Sequence, residues 1–227
     1  MVSTVPAGQY ERYVFKDFPH SSHRTLLALA GIGPGRVLDV GAASGYLGRA
    51  LATAGYTVVG IDRETPAVPA AWYDAFHVVD LAQLPALAEA PFDVIVAGDV
   101  LEHLSEPDRA LAALAGLLAR GGRILISVPN VAFALVRFQL LAGRFEYAER
   151  GIMDVGHLRF FTRRSLLRLV RAAGLTPGRP IGLPPPLPLV SPLFLRWPLR
   201  VVHDLAAVAA RVWPTLFAYQ LVLEARR

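Results

Sequence analysis

The sequence predicts an α/β protein: a mostly parallel sheet with helices on both faces. Two observations carry this. Strand-like apolar runs alternate with helical segments along most of the 227 residues, the pattern left by successive crossovers that lay helices over both faces of one sheet. One apolar run, Val37-Leu38-Asp39-Val40, also ends in the turn Gly41-Ala42-Ala43-Ser44-Gly45. It continues as Leu47-Gly48-Arg49-Ala50-Leu51, a strand–turn–helix closed by Gly55.

Taken in order, Ser21-Ser22 cap a first helix that runs through Ala30 and ends at Gly31. Strands are expected at Arg36–Val40, 57–61, 76–79, 92–97 and 123–128, with helices between them. Ser105-Glu106-Pro107-Asp108 opens the clearest helix, with a capping residue, a proline in the first turn and an acid three residues on. That helix is expected to reach about residue 119 and stop at Gly121-Gly122. Another, 163–173, is capped by Thr162 and closed by Gly174.

After Pro180 the composition changes. Gly182-Leu183-Pro184-Pro185-Pro186-Leu187-Pro188 suits neither regular helix nor central strand. The stretch 193–212 is apolar with Arg196, Arg200, Asp204 and Arg211 spaced along it, as in an amphipathic helical insert, and Phe217-Ala218-Tyr219-Gln220-Leu221-Val222-Leu223 reads as a closing strand. The whole is expected to be one domain over 1–227. It has a core at 20–180 that includes a lid at 130–161, a Pro-rich and amphipathic insert at 183–213, and a closing strand within 215–226.

Composition bounds the function. The chain is 54% hydrophobic and 18% charged, which argues against disorder, and it contains no cysteine, which excludes disulfides, thiolate zinc and a cysteine nucleophile. Met1-Val2-Ser3-Thr4-Val5 lacks the basic end and apolar core of a signal peptide, and no uncharged run reaches the roughly 20 residues of a spanning helix. The net charge of +5 comes mostly from scattered arginines, without a lysine-rich run or an aromatic RNA-binding signature. The expectation is a cytoplasmic enzyme with no nucleic-acid partner, no spanning segment, and a homodimer left open.

The turn after the first strand suits cofactor binding, since glycines admit close backbone approach and helix N-terminal amides point beyond the strand. It is not the dinucleotide form, because G-x-G-x-x-G from Gly41 would need glycine where Ala43 and Tyr46 stand. The D-x-G-x-x-x-G pattern instead resembles the first motif of class I S-adenosylmethionine (SAM) methyltransferases. Further motifs follow in order: Val58-Val59-Gly60-Ile61-Asp62, Val78-Val79-Asp80-Leu81, the run from Phe92 through Asp99 to Leu104, and Leu118-Ala119-Arg120-Gly121-Gly122-Arg123-Ile124-Leu125-Ile126. Ser127-Val128-Pro129-Asn130 and Gly156-His157-Leu158-Arg159-Phe160-Phe161-Thr162 resemble a bacterial small-molecule branch of that family, often associated with glycan or secondary-metabolite pathways.

The resemblance, over roughly residues 20–180, implies a Rossmann-like doubly wound sheet of seven strands with the last antiparallel. It also implies SAM as methyl donor and S-adenosylhomocysteine as product. The cofactor residues it implies are Asp39, Gly41, Ala42, Gly45, Asp62, Asp80, Leu81 and Asp99. Asp62 lies about 20 residues past Gly41, where a carboxylate accepts both ribose hydroxyls. Asp80 is equally placed to cap a helical turn at Leu81, and Asp39 to satisfy amides of its own turn.

Methyl transfer to a hydroxyl needs alignment and a base. Asp99 and His103, four apart, would share one face of a helical turn, with the carboxylate orienting the imidazole. His157 is a second base candidate, and the alternative for His103 is packing in its loop. Asp99, Glu102 and His103 also resemble an acid–x–x–acid–His cluster with which some quinone-pathway O-methyltransferases hold a divalent cation. Aspartate in place of the first glutamate, and no fourth ligand, make a metal the less favoured expectation.

The lid lies past the fifth strand, where open α/β sheets bind ligands, and Asn130, Phe133, Tyr147 and Arg159 are its expected substrate contacts. The resulting reading is methylation of a small-molecule acceptor, at a hydroxyl oxygen of a glycan or secondary metabolite. Two alternatives stand beside it: a non-catalytic SAM-fold partner or regulatory protein, and a membrane-peripheral methyltransferase using 193–212 on a lipid-linked acceptor.

Overall fold

The computed structural model describes residues 15–65 and 72–227. The opening residues 1–5, weighed above as a leader, lie outside the described residues. Strands β1 (Arg36–Val40), β2 (Thr57–Asp62), β3 (Ala75–Val78), β4 (Phe92–Gly98) and β5 (Leu118–Pro129) pair in parallel, in the order β3-β2-β1-β4-β5. The closing strand β8 (Gln220–Arg226) runs antiparallel to β5.

Beyond β8 lie two short strands, β6 (Thr176–Pro177) and β7 (Ile181–Leu183), both antiparallel to it. The sheet thus counts eight strands, but β6 and β7 share one edge of β8. They fill a single position, interrupted at Gly178-Arg179-Pro180, where proline cannot donate to the ladder. The seven-position Rossmann-like sheet with an antiparallel closing strand is therefore present.

The central strands β1, β4, β5 and β8 are buried on both faces, and their alternation shows it. Leu38, Ile95, Ala97, Ile126 and Leu223 pack on one side with Leu111 and Leu114 of α3 (Pro107–Gly116) and Leu166 and Val170 of α5 (Arg163–Ala172). Val37, Val94, Val96, Leu125 and Val222 pack on the other with Leu26 of α1 (Ser22–Ala30) and Leu47 and Leu51 of α2 (Tyr46–Thr53). Burying each such side chain contributes about 1.5–3 kcal/mol.

Local signals hold at several helix ends. Ser21 caps α1 through the Arg24 amide, and Thr162 and Ser165 form a reciprocal capping box on α5. Two boundaries differ from expectation. Glu106, not Ser105, occupies the cap position of α3 and makes no side-chain cap bond, and α3 ends at Gly116 because Leu118 already pairs with Phe92 in the sheet. The stretch 193–212 is also not one helix. Proline breaks it into a 3₁₀ turn (Pro192–Leu195) and α7 (Leu199–Val212), after α6 (Leu187–Val190) and before α8 (Pro214–Phe217).

The excursion after β5 holds one helix, α4 (Ala134–Leu141). It begins and ends together, since Asn130 and Phe161 form a parallel bridge and the Val131 amide donates to the Phe161 carbonyl at 2.9 Å.

Candidate active site

The residues expected from the sequence to form the site gather mainly at the carboxyl ends of β1, β2, β4 and β5, around the point between β1 and β4 where the strand order reverses. In the turn after β1, Gly41, Ala43 and Gly45 all take left-handed backbone, with φ of 69°, 48° and 76°. Gly41 is doubly constrained, because a Cβ there would lie 2.7 Å from Val100 Cγ2. The turn is tied to the tip of β2: the Gly41 and Ala42 amides donate to the Ile61 carbonyl, and the Ala43 amide donates to Asp62 Oδ2 at 2.8 Å.

Asp39 sits behind this turn. It is 2% exposed, and the Tyr73 hydroxyl donates to its Oδ2 at 2.8 Å. Burial pushes its carboxyl up to about 7, against hydrogen bonds from Tyr73 and the Gly48 amide, with Asp62 adding to the rise. Asp39 is thus paired with Tyr73 and the Gly48 amide of α2, not with the amides of its own turn.

Ala42 is buried beside it and Leu81 packs against the core. Asp62 is partly exposed at its strand end, and its Oδ1 also accepts from the Glu64 amide at 3.2 Å. Asp80 caps the short turn Leu81–Gln83 by accepting from the Ala82 amide at 2.9 Å.

Asp99 departs from expectation. Its backbone is left-handed, with φ of 58°, and its carboxylate turns to a polar knot instead of to His103. The Ser127 hydroxyl donates to it at 2.6 Å, Gln220 Nε2 donates to the same oxygen, and Lys16 Nζ lies 3.3 Å from the other. Burial would raise this carboxyl, but the Lys16 ammonium and the Ser127 hydroxyl outweigh it and hold it below the usual carboxylate range.

Next to the knot, His23 accepts from the Lys16 amide at Nδ1 and stacks on Tyr46 at 4.6 Å. Burial, then Lys16, lowers its pKa to about 4.

The expected Asp99–His103 pair is replaced by another grouping. Glu102, His103 and His157 bring one ligand-type atom each within 4.8 Å of one another. The two rings meet edge-on with centroids 4.9 Å apart. His103 Nδ1 lies 3.0 Å from the Gly156 carbonyl, and His157 Nδ1 lies 3.0 Å from the Ile152 carbonyl. A carbonyl only accepts, so each ring donates from Nδ1, and in the neutral tautomer that does so the lone pair is on Nε2.

Burial lowers the pKa of His157 from its ordinary value, the bond to the Ile152 carbonyl opposing it and His103 adding to it. Glu102 is buried with neither carboxylate oxygen partnered, and burial, then Asp99, pushes its carboxyl well up. The backbone holds this grouping: the Leu158 and Arg159 amides both donate to the Glu102 carbonyl, at 2.8 and 2.9 Å.

Two of the four expected substrate contacts are committed elsewhere. Asn130 is buried, and its amide donates to the Ala218 carbonyl at 2.7 Å and the Pro214 carbonyl at 3.3 Å, fixing the turn into β8. Arg159 gives Nε and Nη2 to the Ser105 carbonyl, at 3.0 and 2.5 Å. Phe133 packs edge-on against Tyr219, while Tyr147 is exposed and touches Phe145. Lys16, His23, Tyr73, Ser127 and Gln220 were missed by the sequence reading. Apart from Ser127, a polar residue inside the apolar strand β5, none stands in a local pattern that would single it out.

A family model described as a methyltransferase domain matches residues 10–177. A ubiquinone biosynthesis O-methyltransferase of Aromatoleum aromaticum is 30% identical over 164 residues, covering 68% of this chain and 69% of that protein. This chain belongs to the class I SAM-dependent methyltransferases.

A second ubiquinone biosynthesis O-methyltransferase, from a Caulobacter species, is 28% identical, and the match covers 71% of this methyltransferase and 66% of the relative. Among solved structures, a SAM-dependent methyltransferase of Thermotoga maritima, titled a possible histamine N-methyltransferase, superposes with TM-score 0.63 at 16% identity. That match covers 96% of this chain and 94% of the other. A Burkholderia thailandensis 1,6-didemethyltoxoflavin N1-methyltransferase bound to S-adenosylhomocysteine gives 0.59 at 21% identity, covering 92% and 79%. These two show the fold.

The turn fits such a cofactor. Its strained backbone packs against Val100 and is tied to Asp62, whose carboxylate stands at the tip of β2, one hydrogen bond from the turn.

Proposed function

We propose that this methyltransferase acts on a hydroxyl oxygen of a small-molecule acceptor, with Nε2 of His103 or His157 as the base. The observation that carries this is the pair of imidazoles, each fixed as the Nδ1–H tautomer by a backbone carbonyl at the mouth of β4. A hydroxyl is a poor nucleophile until it gives up its proton, and a neutral imidazole suits that transfer at neutral pH. The relatives named as O-methyltransferases support the choice of oxygen.

Bound SAM would supply an activated methyl carbon on a good, neutral leaving group. The turn 41–45 and Asp62 would hold it, Asp62 accepting from the ribose hydroxyls. Asp99, held by Ser127, Gln220 and Lys16, would set the floor of the site. An acceptor hydroxyl held against the two rings would give its proton to imidazole Nε2, and the bonds from the Leu158 and Arg159 amides to the Glu102 carbonyl keep the rings in register.

A second reading rests on Glu102. Its unpartnered buried carboxylate beside two imidazoles is a donor set suited to a divalent cation, which would lower the pKa of an acceptor hydroxyl.

The test is methyl transfer from labelled SAM to a panel of phenols, sugar hydroxyls and amines, with products located by mass spectrometry. Methyl ethers are expected. Transfer to amines alone would refute the hydroxyl reading, and sugar or phenol preference would choose between glycan and secondary-metabolite acceptors.

A further inference from the structure

Helix α7 is apolar on both sides. Its inner stripe, His203, Ala207 and Ala210, is buried against the body of the protein. There His203 Nε2 meets the Pro19 carbonyl at 3.0 Å, and the backbone of Ala210 crosses close over Gly182 of β7. The opposite face, half a turn away at helical spacing, consists of Val201, Leu205, Val208 and Val212, all exposed. A surface helix ordinarily turns polar residues outward at those positions.

Tryptophans stand at both ends of the helix, Trp197 83% exposed before it and Trp213 57% exposed after it. Over residues 183–219 the charged side chains are Arg196, Arg200 and Arg211 against the single acid Asp204. Arg200 and Arg211 flank one side of the apolar face, with Asp204 between them and 3.5 Å from Arg200. Leu135, Phe138 and Leu141 of α4 are exposed too, and α4 is tied to α8 by Arg137 Nη2 donating to the Thr215 carbonyl at 3.1 Å.

We propose that α7, with Trp197 and Trp213, lies in the plane of an anionic phospholipid bilayer and docks the enzyme on it. The apolar face enters the acyl boundary, the indoles sit at headgroup level, and the arginines meet lipid phosphates. The helix has 14 residues, short of the roughly 20 needed to cross. No helix among the described residues is long and apolar enough to span a membrane, so the docking is parallel to the surface. A second copy of the chain is the competing occupant, and the test below separates the two. The proposal is independent of which acceptor is methylated.

The test is sedimentation of the full chain with phosphatidylcholine vesicles, with and without about a quarter phosphatidylglycerol. Binding is expected only to the anionic vesicles and should weaken at high salt. The double variant Leu205→Glu/Val208→Glu should lose at least tenfold in binding. Arg196→Glu, which leaves the apolar face intact, should lose at least fivefold. Both variants should keep the wild-type unfolding midpoint and SAM affinity, since every altered side chain is exposed. Wild type that fails to sediment with anionic vesicles overturns the proposal. So does a dimer, seen by light scattering, that the double variant dissociates while vesicle binding is absent, which would assign the face to a second copy.

Discussion

The Tyr73 hydroxyl donates to the Asp39 carboxylate at 2.8 Å, with Tyr73 wedged between α2 and β2 so closely that a Cβ on Gly48 or Gly60 would collide with its ring. This buried pair sets a pH dependence. The Asp39 carboxyl is raised from 3.8 to about 7, so the folded state holds its proton more tightly than the unfolded chain does. The corresponding stability is fully present below about pH 4 and is lost as pH rises through 7, on the order of 4 kcal/mol once the group is ionised. Asp39→Asn should therefore raise the unfolding midpoint of the cofactor-free protein at pH 8, with the advantage shrinking toward pH 4. Urea unfolding across that range measures it, and a variant less stable at pH 8 than at pH 4, relative to wild type, contradicts it.

Asp62→Ala should weaken SAM binding at least tenfold by removing two charge-assisted hydrogen bonds to ribose. Because its Oδ2 also accepts from the Ala43 amide, Asp62→Asn is the useful companion, keeping an acceptor for the turn while losing the charge. Calorimetry on both separates turn support from cofactor contact.

The two imidazoles should differ in consequence. Replacing the base with alanine should cut turnover by roughly 10²–10⁴ with SAM affinity nearly unchanged, and replacing the other should cost far less. Single-turnover rates for His103→Ala and His157→Ala identify which is which. Equal, small effects would mean that alignment alone carries the rate.

Glu102→Gln decides the role of the orphaned carboxylate. Glutamine preserves shape, so the fold should survive. If a cation is held there, prolonged chelation should abolish wild-type activity, added divalent metal should restore it, and the variant should stay inactive with metal. Full activity after chelation removes the cation reading.

Gly182→Ala should destabilise the seat of α7. The new Cβ would fall 2.1 Å from the Ala210 carbonyl oxygen, and relieving that contact costs about 1–3 kcal/mol. A lowered unfolding midpoint is expected, whereas Gly116→Ala, with open space around it, should not lower it.

The sheet was legible because its strands are continuous apolar runs bounded by acids and glycines, as at Val37–Asp39 and Val58–Asp62, and such runs need no partner to be recognised. The start of β5 was not, because Leu118-Ala119-Arg120 suits a helix end as well as a strand and only pairing with β4 decides between them. The turn 41–45 and Asp62 were readable for the same local reason. The partners of Asp99 were hidden. Lys16, Ser127 and Gln220 lie 83, 28 and 121 positions away. His157, 54 residues beyond His103, is brought to it only by the path of the excursion after β5. Sequence spacing instead suggested a helical Asp99–His103 pair, which the left-handed backbone at Asp99 precludes by turning the chain before the 3₁₀ turn Leu101–His103.

The bridge between Asn130 and Phe161 closes that excursion at its base. Its length is thereby uncoupled from the sheet. Adding or removing residues between the two ends changes a closure entropy that grows only with the logarithm of loop size, and neither β5 nor α5 has to shift. The segment that carries His157, Phe133 and Tyr147 is thus an exchangeable cassette on a fixed chassis. On the proposed reading of the site, a change of acceptor would be written into this segment, with the sheet and the turn 41–45 left as they are.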